Sequence, residues 1–150
     1  MAIWFRPFTI ADIARLRKGT MVEHIGIEIT EIGEDFLRGT MPVDARTRQA
    51  MGLLHGGASV ALAETLGSIA GAMVIDLGRQ SVVGLEISAS HMRAVRAGVV
   101  TGTARPVNIG RSIHVWQVDI VNAAGKPVCI SRLTLYVLDR PPPITEPAPR

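Results

Sequence analysis

The stretch GASVALAETLGSIAGAMVI, Gly57 to Ile75, decides the architecture. It is the longest strongly patterned segment of the chain, apolar throughout apart from one carboxylate, and it reads as a buried helix. At about 100° per residue, Leu62, Leu66, Ile69 and Met73 fall on one face, which is expected to pack on a sheet. The opposite stripe holds Gly57, Ala61, Glu64, Ser68 and Gly71: small residues around the only charged side chain of the helix. Glu64 and the interspersed glycines and serines make this a core helix rather than a membrane span.

Outward from that helix the pattern changes to strands. On its N-terminal side, Thr9 and Asp12 mark a helix start, with a helix over Ile10 to Lys18 ending at Gly19. Ile25, Ile27 and Ile29 alternate with Gly26, Glu28 and Thr30, the period of a half-buried strand. Gly33-Glu34-Asp35 supplies a turn into a returning strand over Phe36 to Val43. On the C-terminal side, strands are expected over Ser81 to His91, Gly98 to Arg105, Ser112 to Asn122 and Pro127 to Leu138, the last two joined through Ala123-Ala124-Gly125-Lys126. A tail from Pro141 to Arg150 has five prolines in ten residues and is expected to be extended or disordered. One long helix among about six antiparallel strands predicts a single α+β domain over residues 1–140, its sheet wrapped around the helix.

Composition narrows the function classes. The 150 residues are 47% hydrophobic and 19% charged, which fits one compact domain with a sizeable core, and only 4% are aromatic, so Val, Ile, Leu, Ala and Met must fill it. The single cysteine, Cys129, rules out an intrachain disulfide and sits in an apolar run as a small hydrophobe. The charge of +3 comes almost wholly from arginine, whose planar fork suits phosphate, but no dense basic run with interleaved aromatics supports nucleic-acid binding. No histidine pair has metal-ligand spacing, so no metal is expected. The absence of a signal-like start or a membrane span leads to the expectation of a cytoplasmic protein.

Chemistry concentrates at Glu64 and at the helix entry. A carboxylate on a small-residue stripe is either a general base or nucleophile desolvated in a cleft, or one half of an ion pair with arginine across a subunit contact. Ser68 lies one turn further and is in reach of Glu64. At the entry, Leu54-His55-Gly56-Gly57 places a polar ring and two glycines where the first helical amides lack intrahelical acceptors, a setting that favours developing negative charge.

Gln49-Ala50-Met51-Gly52-Leu53-Leu54-His55-Gly56-Gly57-Ala58-Ser59, followed by Ala63-Glu64-Thr65-Leu66-Gly67-Ser68, closely resembles the hotdog-fold thioesterases related to 4-hydroxybenzoyl-CoA thioesterase. The nearest branch holds the 1,4-dihydroxy-2-naphthoyl-CoA hydrolases and the proofreading thioesterases of enterobactin synthesis. The resemblance continues through Met41-Pro42-Val43-Asp44, Val83-Gly84-Leu85-Glu86-Ile87 and His114-Val115-Trp116-Gln117, covering roughly Met21 to Leu138. It implies a hotdog fold and hydrolysis of an acyl-CoA, with an aromatic acyl group favoured and an acyl-carrier-protein thioester possible. By position it implies that Glu64 is the catalytic carboxylate and that the Gly56 amide polarises the thioester carbonyl. Gln49, His55 and Ser68 would line the reaction centre. Gly84, the segment His91, Met92, Arg93 and Ala94, and the loop Asn108, Ile109, Gly110, Arg111, Ser112 and Ile113 would contact coenzyme A, which is part of the substrate, so no separate cofactor is expected. The resemblance further implies a homodimer with sites at the subunit boundary, commonly paired into a tetramer. The competing functions are a hotdog hydratase or dehydratase and a non-catalytic acyl-CoA-binding subunit.

Overall fold

A computed structural model describes residues 1–139; the Pro-rich tail expected from Pro141 lies outside them. Six antiparallel strands form one sheet: β1 (Glu28–Ile32), β2 (Leu37–Pro42), β3 (Ser81–His91), β4 (Val99–Ile109), β5 (Ile113–Val121) and β6 (Pro127–Leu138). Their order is β1-β2-β4-β5-β6-β3, so β1 and β3 are the edges. Two short helices, α1 (Ile10–Ala14) and α2 (Met21–His24), precede the sheet, and α3 (Gly56–Met73) packs across it, contacting β2 through β6.

The expected elements are present with local differences that have physical causes. Thr9 and Asp12 do form a reciprocal capping box, but α1 tightens into a 3-10 turn over Arg15–Arg17. Ile25 caps the unexpected α2 instead of opening a strand, because Gly26 turns the chain at φ 76° and β1 begins only at Glu28. The second strand is trimmed to Leu37–Pro42. β4 runs four residues beyond the expected Arg105. Pairing of β2 with β4 stops at Leu37↔Ala104, so Pro106 meets no neighbour on that side and its missing N–H breaks no ladder bond there. A register shift between Pro106 and Asn108 then lets β4 continue to pair with β5.

The packing of α3 corrects the helical-wheel reading in one respect. Leu62, Leu66 and Met73 are buried as expected, but Ile69 is only half-buried, while Ala63, Gly67, Ala70 and Gly71 are buried. The sheet-facing arc is therefore rotated toward the small residues. The sheet explains the rotation. β6 raises Leu133 and Leu135 toward the helix, and these side chains occupy the space that a Cβ at Gly67 or Gly71 would need, 2.6 Å and 2.3 Å away respectively. Conversely, Gly39 and Gly102, paired across β2 and β4, leave the bare patch that receives Leu66. Bulk on one layer meets glycine on the other, in both directions.

This fit sets a test of stability. Alanine normally favours a helix interior over glycine by about 1 kcal/mol. At Gly71 the new methyl would meet the fully buried Leu135 side chain, and overpacking of that kind costs about 1–3 kcal/mol. Gly71→Ala should therefore lower the midpoint of urea unfolding despite the better propensity, and an unchanged or raised midpoint would contradict the packing described.

Candidate functional site

The rotation of α3 leaves Glu64, Thr65, Ser68 and Ile69 outside its fully buried arc. They form one wall of a cavity of about 530 Å³ whose other walls come from α1, the Arg15–Arg17 turn, α2 and the start of β1. Ile10, Ile13, Leu16, Val22, Ile27 and Ile29 make the lining largely apolar. The charged residues among the lining are Glu64, Arg17 and Glu28.

Glu64 makes no ion pair among the described residues. Its one side-chain partner is the Ser68 hydroxyl, which donates over 3.4 Å. A Cβ on Gly84 of β3 would stand 2.7 Å from Glu64 Oε1, so the bare glycine is what admits the carboxylate. Beside it the β3–β6 register shifts between Gly84 and Glu86, a bulge that pushes Leu85 out of the ladder. Burial pushes the Glu64 carboxyl above its ordinary 4.5, and the Ser68 hydroxyl opposes that rise only in part.

The helix entry is built separately. His55 is the N-cap of α3, and its Nδ1 accepts from the Gly57 amide at 2.8 Å, which places the proton of a neutral ring on Nε2. The Gly56 amide donates to no acceptor among the described residues. A Cβ at Gly56 would collide with the His91 ring at 2.9 Å, so the glycine lets the end of β3 approach the helix start. The loop before the helix is held by Gln49 and Leu53 through a main-chain bond of 2.8 Å, with the Gln49 side-chain oxygen accepting from the Met51 amide. Gln49, Gly56, His91, Met92, Arg93 and Ala94 all line a second cavity of about 400 Å³, together with Leu53, Leu54, Ser59 and Val128. Arg93 is exposed and steadied by the Pro127 carbonyl, to which its Nε donates at 3.2 Å.

The expected site residues thus fall into groups. Glu64 and Ser68 line the first cavity, and Gly84 stands by the Glu64 carboxylate, apart from the other residues expected to meet coenzyme A. Gln49, Gly56 and His91 to Ala94 cluster at the second, with His55 capping beside them. Asn108 to Ile113 form the turn between β4 and β5, closed by the Gly110 amide and Asn108 Nδ2 on the Ile113 carbonyl. That turn is remote from His91. His91 pairs with Cys129 and Ile113 with Tyr136, seven residues along β6, or about 23 Å.

Reasoning from sequence missed the N-terminal wall of the first cavity. Ile10, Ile13 and Arg17 follow a helical spacing that could have shown a common face, and the isoleucine alternation from Ile25 was read as strand packing alone. Among the described residues no group of His, Cys, Asp or Glu could hold a metal ion, and no helix is long and apolar enough to cross a membrane.

A long helix packs against a six-stranded antiparallel sheet, and comparison with known proteins places this fold in a family. The pattern of the Thioesterase superfamily matches residues 51–129. The proofreading thioesterase EntH of Cronobacter turicensis is 52% identical over 136 residues, 91% of this chain and 98% of the relative. The 1,4-dihydroxy-2-naphthoyl-CoA hydrolase of Escherichia coli K12 is 47% identical over 136 residues, 91% of this chain and 99% of the relative. A crystal structure of a Haemophilus influenzae thioesterase superposes with a TM-score of 0.89 at 50% identity, covering 91% of this chain and 95% of that one. The chain belongs to the thioesterase superfamily, with the hotdog fold. It is a thioester hydrolase, and its resemblance is to the branch of these two named relatives.

The raised Glu64 pKa carries a prediction for stability. A carboxyl whose folded pKa lies above its unfolded value favours the folded state most when protonated, and that advantage is lost as pH rises through the folded pKa. Glu64→Gln should therefore melt higher than the parent at neutral pH, and the gap should close as pH falls below the ordinary carboxylate range. A variant that melts lower at neutral pH would mean that Glu64 holds a stabilising partner.

Proposed function

We propose that this thioesterase hydrolyses an aromatic acyl-CoA, with Glu64 as nucleophile or general base and the Gly56 amide polarising the thioester carbonyl. The observation that carries the proposal is Glu64 itself: a half-buried carboxylate without a cation among the described residues, set in the wall of an apolar cavity large enough for an acyl group. The Gly56 amide, without an acceptor among the described residues and at the positive end of an 18-residue helix, is suited to the oxyanion that forms as the carbonyl is attacked. In the nucleophilic course the Glu64 oxygen bonds to the carbonyl carbon, the carbon–sulfur bond breaks, and coenzyme A leaves as thiolate; water then opens the anhydride. In the general-base course Glu64 takes a proton from water as the water oxygen bonds to the carbonyl carbon; the carbon–sulfur bond then breaks and the proton passes to the departing thiolate. The aromatic preference is supported by the resemblance to the naphthoyl-CoA hydrolase.

The two halves of this chemistry are separated within one chain. Glu64 follows Gly56 by eight residues, about 12 Å along the helix axis, and the two line different cavities. One thioester carbonyl would not span that gap. A second copy running antiparallel would bring the helix entry of one protomer to the Glu64 of the other, and the unpaired edge of β3, with Val83 and Leu85 exposed, is a surface suited to such pairing. In that arrangement Arg93, beside the second cavity, meets the phosphates of coenzyme A.

Two measurements test this. Glu64→Gln should cost at least about 10²–10⁴-fold in thiol release from an aryl-CoA, more if Glu64 is the nucleophile. Glu64→Gln and Gln49→Ala subunits, each inactive alone, should regain activity when unfolded and refolded together, because mixed pairs contain one intact site. Failure to regain activity in demonstrably mixed oligomers would place the whole site within one chain.

A further inference from the structure

We propose that Arg17 is a specificity-determining residue that binds an oxygen-bearing substituent, a hydroxyl or carboxylate, on the acyl group remote from the thioester. The inference rests on the acyl group occupying the cavity beside Glu64, and adds which acyl groups that cavity selects. An apolar lining would suffice for a plain hydrocarbon acyl group. This cavity nevertheless counts Arg17 among the residues of the wall formed by the N-terminal segment and β1.

That guanidinium is positioned but not saturated. One nitrogen, Nη1, donates to the Ile27 carbonyl at 2.8 Å, and the Arg17 carbonyl is in turn held by the Thr20 hydroxyl at 2.6 Å. The other terminal nitrogen, Nη2, reaches Glu28 Oε1 only at 3.4 Å. The Glu28 side chain is 63% exposed and that of Arg17 31% exposed, so the pair is a solvated contact of the kind that contributes little to stability. Arginine has five donors, and those not used by Ile27 are open to a better-placed acceptor. Arg17 and Glu28 also border a third cavity of about 410 Å³, lined by Glu23, Thr40 and Arg46 among others, so the pair stands between an apolar chamber and a polar cleft. An acyl group entering from the Glu64 side would place its far end where the lining changes from apolar to charged. An acceptor oxygen there would take the place of the weakly held Glu28.

The test uses unreactive ketone analogues of benzoyl-CoA, with a methylene between carbonyl and sulfur, bearing hydrogen, para-hydroxyl or para-carboxylate. Their binding is measured calorimetrically to the parent protein, Arg17→Met and Glu28→Gln, with thermal melts of each. The parent should prefer one or both oxygenated analogues to the unsubstituted one. Arg17→Met should weaken those by about tenfold to a hundredfold, as expected for a charge-assisted bond, and leave the unsubstituted analogue unchanged. Glu28→Gln removes the competing carboxylate and should tighten the oxygenated analogues severalfold, which keeps the proposal testable if Arg17→Met folds poorly. Equal weakening of all three analogues by Arg17→Met, or no preference in the parent, would overturn it. Hydrolysis of the parent thioesters is assayed alongside. Selective binding without thiol release would sink the Glu64 chemistry while sparing the Arg17 assignment.

Discussion

The interlock of Leu133 and Leu135 with Gly67 and Gly71 fixes the rotation of the long helix, and the rest of the site follows from that angle. With glycine on the helix and leucine on the strand, the sheet-facing arc must pass through Ala63, Ala70 and Gly71. Glu64, Ser68 and Ile69 are then left at the margin of that arc, where they line the cavity bordered by α1 and β1. Had the larger Leu–Ile face been centred on the sheet, Ile69 would have been buried and the cavity wall would have lost its apolar contact. Glycine here sets a direction: it decides which residues of an otherwise uniform apolar helix become available for chemistry.

The same economy governs the approach of the edge strand. β3 comes near α3 at Gly84, where the missing side chain admits the Glu64 carboxylate, and at His91, whose ring sits against bare Gly56. Each contact would be blocked by a single methyl group. Burial raises the Glu64 pKa, and at the second contact the Gly56 amide, in the first turn of the helix, has no acceptor among the described residues. A half-buried carboxylate and an unsatisfied main-chain donor both cost stability.

Much of this was legible in the sequence. The helix, the last four strands and the isolation of Glu64 could be read from periodicity and charge, because a carboxylate on a small-residue stripe has few bland explanations. The hotdog fold and the thioesterase class followed from the motif around His55, Gly56 and Glu64. The helix rotation did not follow, since a wheel weighs hydrophobicity and takes no account of whether the sheet presents leucine or glycine opposite. The extent of β4 was hidden by Pro106, whose tolerance depends on β2 ending at its partner Ala104. The N-terminal cavity wall was missed because Ile25, Ile27 and Ile29 carry the alternation of a strand, and only the turn at Gly26 separates them into a helix end and a strand start. Division of the site between two cavities is a distance along the helix, and no motif displays it.

The central claim is that an unpaired, desolvated Glu64 performs the chemistry. The pH dependence of kcat/KM for an aryl-CoA reads the ionisation of essential groups in the free enzyme. The account predicts an acid limb whose midpoint lies above the ordinary glutamate value of 4.5, because burial raises Glu64, and predicts that this limb vanishes from the residual activity of Glu64→Gln. A midpoint at or below that value, or the same limb persisting in the variant, would contradict it.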